Sequence, residues 1–390
     1  MNVYIELRQH VGAPCMPIVK VGDAVLRGQL IATPAGLGAN IHASVTGVVR
    51  EVTETQIIIQ MADEQPDDFE KIPAGLSHLE AIEQAGIVGA GGAGFPTHVK
   101  YGIKMDDGYI IANAVECEPV LGHNLKQMEE HPEVIIRGLK YLMEIRNAKK
   151  GYIAMKTKYR KAMLALGKAC KDEPNIEVKF VSDMYPAGDE RVIIRELLGV
   201  ELKPGELPIE AKAIVSNVET IKRVAQAIEQ RKPYIDKDLT VSGRVQSGTK
   251  VFVDQPIGMP VGHYIDQCGG YVTPYGEIVV GGPFTGLSQT EETPVTKTTG
   301  GVLVAMPFPQ EHRKVGILAC ECGADETRLR EIADGMGAEV VVSEMCKRMV
   351  KDPNGRYRCD LPGICPGQAE KILKMKKSGA ETVIAGSCES

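Results

Sequence analysis

The sequence contains no tryptophan, and aromatic residues make up only 5% of its 390 residues. It also lacks an excess of basic charge, because 51 Asp and Glu residues outnumber 45 Lys and Arg residues. Without surplus base to neutralise phosphates, we expect no nucleic-acid partner. No apolar run reaches the ~18 residues of a membrane helix, and the start, MNVYIELRQH, has no signal-peptide character. We therefore expect a cytoplasmic protein without direct membrane insertion.

Glycine and cysteine are the two residue types whose use stands out. The chain has 42 glycines, above the usual share of about 7%, which suits a site lined by backbone, such as one for a phosphate or dinucleotide. Of its 10 cysteines, six follow residue 319. Because no secretion signal is evident, we interpret this C-terminal group as a metal or redox centre rather than a disulfide framework.

Residue patterning divides the chain into four units and predicts a multidomain α/β fold. Residues 1–62 contain short β-branched segments separated by tight turns, and an acidic linker follows at 62–70. Residues 72–232 alternate apolar runs with helical stretches, which predicts a parallel sheet covered by helices. Residues 236–310 return to β-structure with one short helix, and 314–390 form a second, cysteine-rich α/β unit.

The strongest local feature is the glycine-rich segment AGIVGAGGAGFPTHVK at 85–100. Its glycines let backbone N–H groups approach an anion, and a helix starting near Pro96 would add a favourable dipole. Lys100 lies one turn into that helix and could reach a phosphate or a ring oxygen. A flexible loop is the alternative interpretation, and the segment is not a standard dinucleotide fingerprint because no strand directly precedes it.

Polar residues follow two of the predicted strands. Asn113, Glu116 and Glu118 come at and after the strand YIIANAV, and Asn217 ends another strand. Ligands bind at the carboxyl ends of parallel strands, so these side chains are candidate binding residues. The alternative is that the carboxylates cap turns and helices.

Four motifs together resemble a known family. These are GAGGAGFPTHVK (89–100), NAVECEP (113–119), YPAGDE (185–190) and SNVET (216–220), in this order. They resemble NADH-oxidising flavoproteins, namely the flavoprotein subunit of respiratory complex I and the C subunit of the Rnf electron-transport complex. The resemblance implies an FMN site built from Gly89, Gly91, Gly92, Gly94, Lys100, Asn113, Glu116, Glu118, Tyr185, Gly188, Glu190, Asn217 and Thr220.

The same resemblance implies the nature of three units. Residues 1–62 resemble a lipoyl-like barrel-sandwich, residues 72–232 an FMN-binding, Rossmann-like domain, and residues 236–310 a soluble-ligand-binding β-grasp domain. NADH is implied as the substrate. The sequence resembles the Rnf branch more than the complex I branch, because the Rnf branch shares the glycine segment.

The C-terminal unit departs from the Rnf subunit, since it lacks the C-x₂-C-x₂-C-x₃-C-P runs that hold iron–sulfur clusters. Its segments LACECG, GICPGQ and VIAGSCES instead resemble the cysteine-bearing module of the flavoprotein subunit of heterodisulfide reductase. That resemblance implies an iron–sulfur cluster. A zinc site and a dithiol/disulfide relay are the alternatives. The predicted ligands are Cys320, Cys322, Cys365 and Cys388, with Cys346 or Cys359 as a further candidate.

This combination of units resembles the electron-transfer proteins associated with proline reductase in amino-acid-fermenting anaerobes. We therefore expect an NADH:acceptor oxidoreductase that passes electrons to a partner reductase, with proline reductase as the implied partner. A non-enzymatic electron-relay or docking adapter and an Rnf-type membrane-complex subunit are the alternatives. The family includes selenoproteins, and we expect the chain to continue beyond Ser390, because the last strand should lead into a covering helix.

Overall fold

The computed structural model describes residues 1–92, 94–105 and 107–386. The N-terminal domain (residues 1–62) contains two small antiparallel sheets, β1-β7-β6-β3 and β2-β4-β5. Alternate residues of β1 and β7, such as Val3 and Ile59, point into one apolar core and are fully buried. The strands are β1 (Asn2–Glu6), β2 (Cys15–Pro17), β3 (Ala24–Val25), β4 (Leu30–Pro34), β5 (Ile41–His42), β6 (Gly47–Val52) and β7 (Gln56–Met61).

The central domain (residues 72–232) contains a parallel sheet in the order β10-β9-β8-β11, with helices packed on it. The chain therefore starts inside the sheet at β8, builds outwards to β10, and returns to the other side of β8 with β11. The elements are α1 (His78–Gln84), α2 (Thr97–Gly102), β8 (Tyr109–Asn113), α3 (His123–Glu130), α4 (Pro132–Arg146), β9 (Lys150–Lys156), α5 (Arg160–Ala169), β10 (Ile176–Val181), α6 (Glu190–Leu198), a 3-10 helix (Pro208–Ala211), β11 (Ala213–Asn217) and α7 (Val218–Glu229).

The third domain (residues 236–310) has one mixed sheet, β13-β12-β16-β14-β15, and one helix. Its first and last strands, β12 and β16, lie side by side and parallel. The assignment of this unit as a soluble-ligand-binding β-grasp domain stays a prediction. The elements are β12 (Asp236–Gly243), β13 (Lys250–Pro256), α8 (Val261–Gln267), β14 (Ile278–Val280), β15 (Leu287–Gln289) and β16 (Gly301–Val304).

The C-terminal domain (residues 314–386) has a parallel sheet, β18-β17-β21, and a separate hairpin, β19-β20. The hairpin lies in the segment between Cys346 and Cys359. The elements are β17 (Lys314–Ala319), α9 (Glu326–Gly335), β18 (Glu339–Met345), β19 (Met349–Lys351), β20 (Tyr357–Cys359), α10 (Ala369–Lys377) and β21 (Thr382–Ala385). None of the helices in the described part of the chain has the length and apolar character needed to cross a membrane.

The N-terminal and third domains share one apolar core although they are far apart in sequence. Tyr4 N donates a hydrogen bond of 2.8 Å to Gly258 O, and a Cβ atom on Gly258 would lie 2.6 Å from the side chain of Val3. Arg27 forms an ion pair of 2.8 Å with the buried carboxylate of Asp236. The units 1–62 and 236–310, which the sequence predicts as separate domains, therefore pack against each other around this core.

A buried ionic network joins α7 of the central domain to β12 of the third domain. Arg223 is almost fully buried, and its guanidinium donates to Glu219 at 3.0 Å and to Asp238 at 2.9 Å. Lys222 Nζ lies 2.8 Å from Asp238, and Lys237 donates to Glu219. A buried charge without a partner destabilises the folded state strongly, so removal of one member of this network leaves the others unfavourably buried.

We expect Asp238→Ala to lower the free energy of unfolding by about 3 kcal/mol, because it removes the buried one of the two carboxylates that Lys222 and Arg223 share and leaves them only the partly exposed Asp254 in common. The measurement is chemical denaturation at neutral pH. Glu130→Ala is the control, since it removes one partner of an exposed pair with Lys126 and should cost less than about 1 kcal/mol. Equal losses in the two variants would contradict the structural role of the network.

Candidate functional site

The glycine-rich loop lies between α1 and α2 and packs against the first turn of α7. Ala90 N donates a hydrogen bond of 2.9 Å to Thr220 Oγ1. A Cβ atom on Gly91 would lie 2.9 Å from Nδ2 of Asn217, and Gly94 has a φ of +66°. Glycine at position 91 therefore allows the loop to pass close to Asn217, and glycine at position 94 allows the positive φ.

A cavity of about 460 Å³ lies beside the ends of β8 and β11, where the strand order reverses. This is the point at which open parallel sheets bind ligands, and the size is that of a small-molecule site. Asn113 and Asn217, the last residues of the two strands, are paired in register. The predicted FMN residues that line the cavity are Gly89, Gly91, Gly94, Lys100, Asn113, Gly188, Glu190, Asn217 and Thr220.

Other predicted residues have different surroundings. Glu118 accepts hydrogen bonds from the backbone N–H groups of Phe284 and Thr285, at 2.9 and 3.1 Å, and so binds the third domain. The Tyr185 hydroxyl donates to the carbonyl of Cys322 in the C-terminal domain. The predicted residues outside the lining of this cavity are Gly92, Glu116, Glu118 and Tyr185. A contact between these residues and FMN stays a prediction.

Lys100 is the basic side chain of the cavity wall. Its ammonium group donates to Val215 O at 2.6 Å and lies 3.8 Å from a carboxylate oxygen of Glu190. Burial lowers the pKa of Lys100, while the charge of Glu190 opposes that shift. The helix that carries it, α2, has only six residues, so the expected dipole is small and the lysine is the stronger attraction for an anion.

The two asparagines have structural partners as well as a place in the cavity. Asn217 caps α7, because its Oδ1 accepts from Glu219 N at 2.8 Å. Asn113 accepts from Val115 N at 3.1 Å and donates to Gly188 O at 2.9 Å. Both side chains also line the cavity, so the two roles coexist.

The apolar part of the wall was not predicted from the sequence. Phe95, Leu207 and Ile209 line the cavity, and Leu207 remains 58% exposed. Phe95 lies inside the glycine segment, so its large side chain was a usable signal. Leu207 directly precedes the 3-10 helix and Ile209 lies within it, and this segment has no motif of its own.

The residues present fit a flavin mononucleotide. A Cβ atom on Gly89, which lines the cavity, would have its nearest neighbour 3.8 Å away. The loop therefore leaves space that a ligand could approach. Lys100 supplies positive charge for a phosphate, and Asn113 and Asn217 supply amide groups for the polar parts of a ring or chain.

Four cysteines meet at the edge of the C-terminal sheet. Cys320 directly follows β17, Cys346 directly follows the neighbouring β18, and Cys346 N donates to Ala319 O at 2.9 Å. Hydrogen bonds from Cys322 and Cys346 lower the pKa of the Cys320 thiol. Hydrogen bonds to Cys320 and Cys359 raise the pKa of Cys322. The side chains thus form a continuous series of contacts.

The predicted metal site is only partly covered by the structure. Cys365 lies half-buried in the loop before α10, and Cys388 lies outside the described residues. Within residues 1–92, 94–105 and 107–386, no three His, Cys, Asp or Glu side chains are arranged to hold a metal ion. The thiol-rich composition of the edge fits an iron–sulfur cluster chemically, and the cluster stays a prediction.

Glu116 gives the protein a pH-dependent stability. Burial raises its pKa to about 8, against an ordinary value of 4.5, although Asn124 Nδ2 donates to it at 3.1 Å. Between these pH values the folded state holds a proton that the unfolded state has released, so stability falls as pH rises.

We expect Glu116→Gln to remove the loss of stability that Glu116 causes as pH rises, because glutamine keeps an acceptor for Asn124 without titrating. The measurement is the free energy of unfolding of both proteins from pH 4.5 to about 8. Glu64→Gln, on the surface, serves as the control. A constant difference between wild type and Glu116→Gln across this range would contradict the assignment.

Comparison with known families agrees with the two N-terminal units. Residues 82–226 match the family described as the Nuo51 FMN-binding domain, and residues 1–65 match the RnfC barrel sandwich hybrid domain. The predicted FMN-binding and barrel-sandwich units are thereby confirmed, and FMN is the cofactor that the first family's description names.

Relatives extend the similarity over most of the chain. The C subunit of the Na⁺-translocating ferredoxin:NAD⁺ oxidoreductase complex of Acetobacterium woodii is 35% identical over 77% of this chain and 72% of the relative. The proton-translocating counterpart of Clostridium ljungdahlii is 34% identical over 77% of this chain and 70% of its own length. Cobalamin reductase PduS of Salmonella typhimurium is 39% identical over 60% of this chain and 50% of the relative. With these matches, the chain belongs to the RnfC family of electron-transport proteins.

Proposed function

We propose that this chain oxidises NADH at FMN bound beside β8 and β11, and passes the electrons through its C-terminal cysteines to a partner reductase. One observation carries the proposal. The segment 185–190 borders both places, because Gly188 and Glu190 line the cavity while Tyr185 donates a hydrogen bond to Cys322 O. A donor site and a cysteine centre that share one turn support electron transfer within the chain.

The residues of the cavity have separate tasks in this proposal. The glycine loop and Lys100 would hold the phosphate, and the amides of Asn113 and Asn217 would orient the rest of the cofactor. Phe95 and Leu207 would exclude water from the apolar side. FMN, when bound, supplies the redox chemistry, since it accepts a hydride as two electrons and can release electrons singly.

The names of the relatives support nicotinamide chemistry, but they do not point to a single electron acceptor. Two of them belong to ferredoxin:NAD⁺ oxidoreductase complexes, whereas another is a cobalamin reductase. We take this spread as support for a common NADH half-reaction with different partners. Proline reductase as the acceptor, an iron–sulfur cluster at the cysteines and a cytoplasmic location all stay predictions.

A second candidate is a peripheral component of an Rnf-type membrane complex. The identity with two members of such complexes over 77% of this chain favours it. In that role the chain would exchange electrons with other subunits rather than with a separate reductase. The lack of the ferredoxin-type cysteine runs counts against it, because those runs hold the clusters of the Rnf protein.

The first test is reconstitution with FMN followed by anaerobic mixing with NADH. We expect a yellow protein whose flavin absorbance is lost on addition of NADH, faster than that of free FMN. NADPH is the parallel reagent that defines nicotinamide preference. A protein that binds no FMN, or binds it without reacting with either nicotinamide, would indicate the non-enzymatic adapter instead.

We expect Lys100→Ala to weaken FMN binding about ten- to a hundredfold, because loss of a charged hydrogen bond costs about 1.5–3 kcal/mol. The measurement is a fluorescence titration of the apoprotein with FMN. Lys104→Ala is the matched control, since Lys104 is exposed and lies outside the cavity lining. Unchanged affinity in the Lys100 variant would show that the phosphate lies elsewhere.

A further inference from the structure

Helix α6 lies between the cavity and the C-terminal domain and contacts both. Its first residue, Glu190, lines the cavity. Arg191 Nη1 donates to Cys359 O at 2.7 Å, and one turn later Arg195 Nη1 donates to Pro362 O at 2.9 Å. Two arginines of one helix therefore hold the backbone of a single cysteine-bearing loop.

Arg191 also connects this loop to the other cysteine-bearing turn. Its Nη2 lies 3.3 Å from a carboxylate oxygen of Glu321, the residue between Cys320 and Cys322. The same carboxylate accepts a hydrogen bond from Cys359 N. Only 6% of the Arg191 side chain is exposed, so these charged contacts are made away from water, where they are strong.

We propose that Arg191 and Arg195 are positioning residues that hold the C-terminal cysteines against the flavin cavity. Their role is to keep a constant, short path for electrons, with no movement of the C-terminal domain during turnover. This inference rests on the proposed function. It adds to that function by naming the residues that join its two redox centres.

The geometry explains why arginine is used. Arg191 serves a carbonyl and a carboxylate in two directions at once, through two nitrogens of one planar group. A lysine could keep its charge but not both fixed directions. Arg191→Lys should therefore retain part of the effect, and Arg191→Gln should retain less.

The first arm of the test measures protection of Cys359 and needs no cofactor. In the native protein only 5% of this residue is exposed. We expect Arg191→Gln and Arg195→Gln to raise the rate at which iodoacetamide alkylates Cys359 about ten- to a hundredfold. Mass spectrometry measures this rate. Arg330→Gln is the control, because Arg330 is half-exposed on α9 and pairs with Glu326 on the same helix, one turn earlier.

The second arm measures electron arrival. FMN-loaded protein is treated with diamide to oxidise its C-terminal thiols, and NADH is then added anaerobically. In the reaction that is measured, NADH reduces the disulfide: NADH + H⁺ + disulfide → NAD⁺ + two thiols. The new thiols are counted by alkylation. We expect both arginine variants to slow this step at least about tenfold, while NADH-dependent reduction of ferricyanide, which tests the flavin alone, keeps its wild-type rate.

The possible failures can be told apart. Unchanged Cys359 alkylation, or thiol recovery at the wild-type rate in both arginine variants, overturns the positioning role. If the FMN-loaded wild-type protein does not reduce ferricyanide with NADH, the proposed NADH function is wrong. The alkylation rates would in that case still show whether the arginines hold the loop.

Discussion

The paired charges between α7 and β12 are the constraint on which the rest of the structure depends. The first turn of α7 has two duties, since Asn217 and Thr220 line the cavity while Glu219 belongs to the buried network. The position of one cavity wall is therefore set by ion pairs to the third domain. Because a buried charge without a partner is costly, the helix has little freedom to move away.

The same strand extends this constraint to the N-terminal domain. Asp236, at the start of β12, pairs with Arg27, and Asp238, two residues later, pairs with Arg223. Three domains thus meet around the charged start of one strand. The C-terminal domain is attached to the central domain through side chains of α6 and the turn before it, which bind carbonyl groups of the cysteine-bearing loops. It is attached to the third domain through a largely buried ion pair between Arg328 and Glu277.

The sequence predicts the structure well where local pattern determines it. The unit 72–232 is predicted to be a parallel sheet covered by helices and has that architecture. Asn113 and Asn217 end neighbouring parallel strands at one edge of this sheet, as their positions after the predicted strands indicate. Features that depend on distant contacts were missed. The shared core of the N-terminal and third domains, and the cavity wall at Leu207, arise from packing between segments that have no common motif. Glu118 shows the opposite case, a motif residue whose contacts lie in another domain.

The central claim is that the cavity beside β8 and β11 is a flavin site facing the cysteine-bearing domain. A crystal structure of the protein with bound FMN tests it most directly. We expect the phosphate about 3 Å from the glycine loop and Lys100, with the ring system at Gly188 and the turn that contacts Cys322. FMN bound outside this cavity, or with its ring system directed away from the 185–195 segment, would contradict the claim.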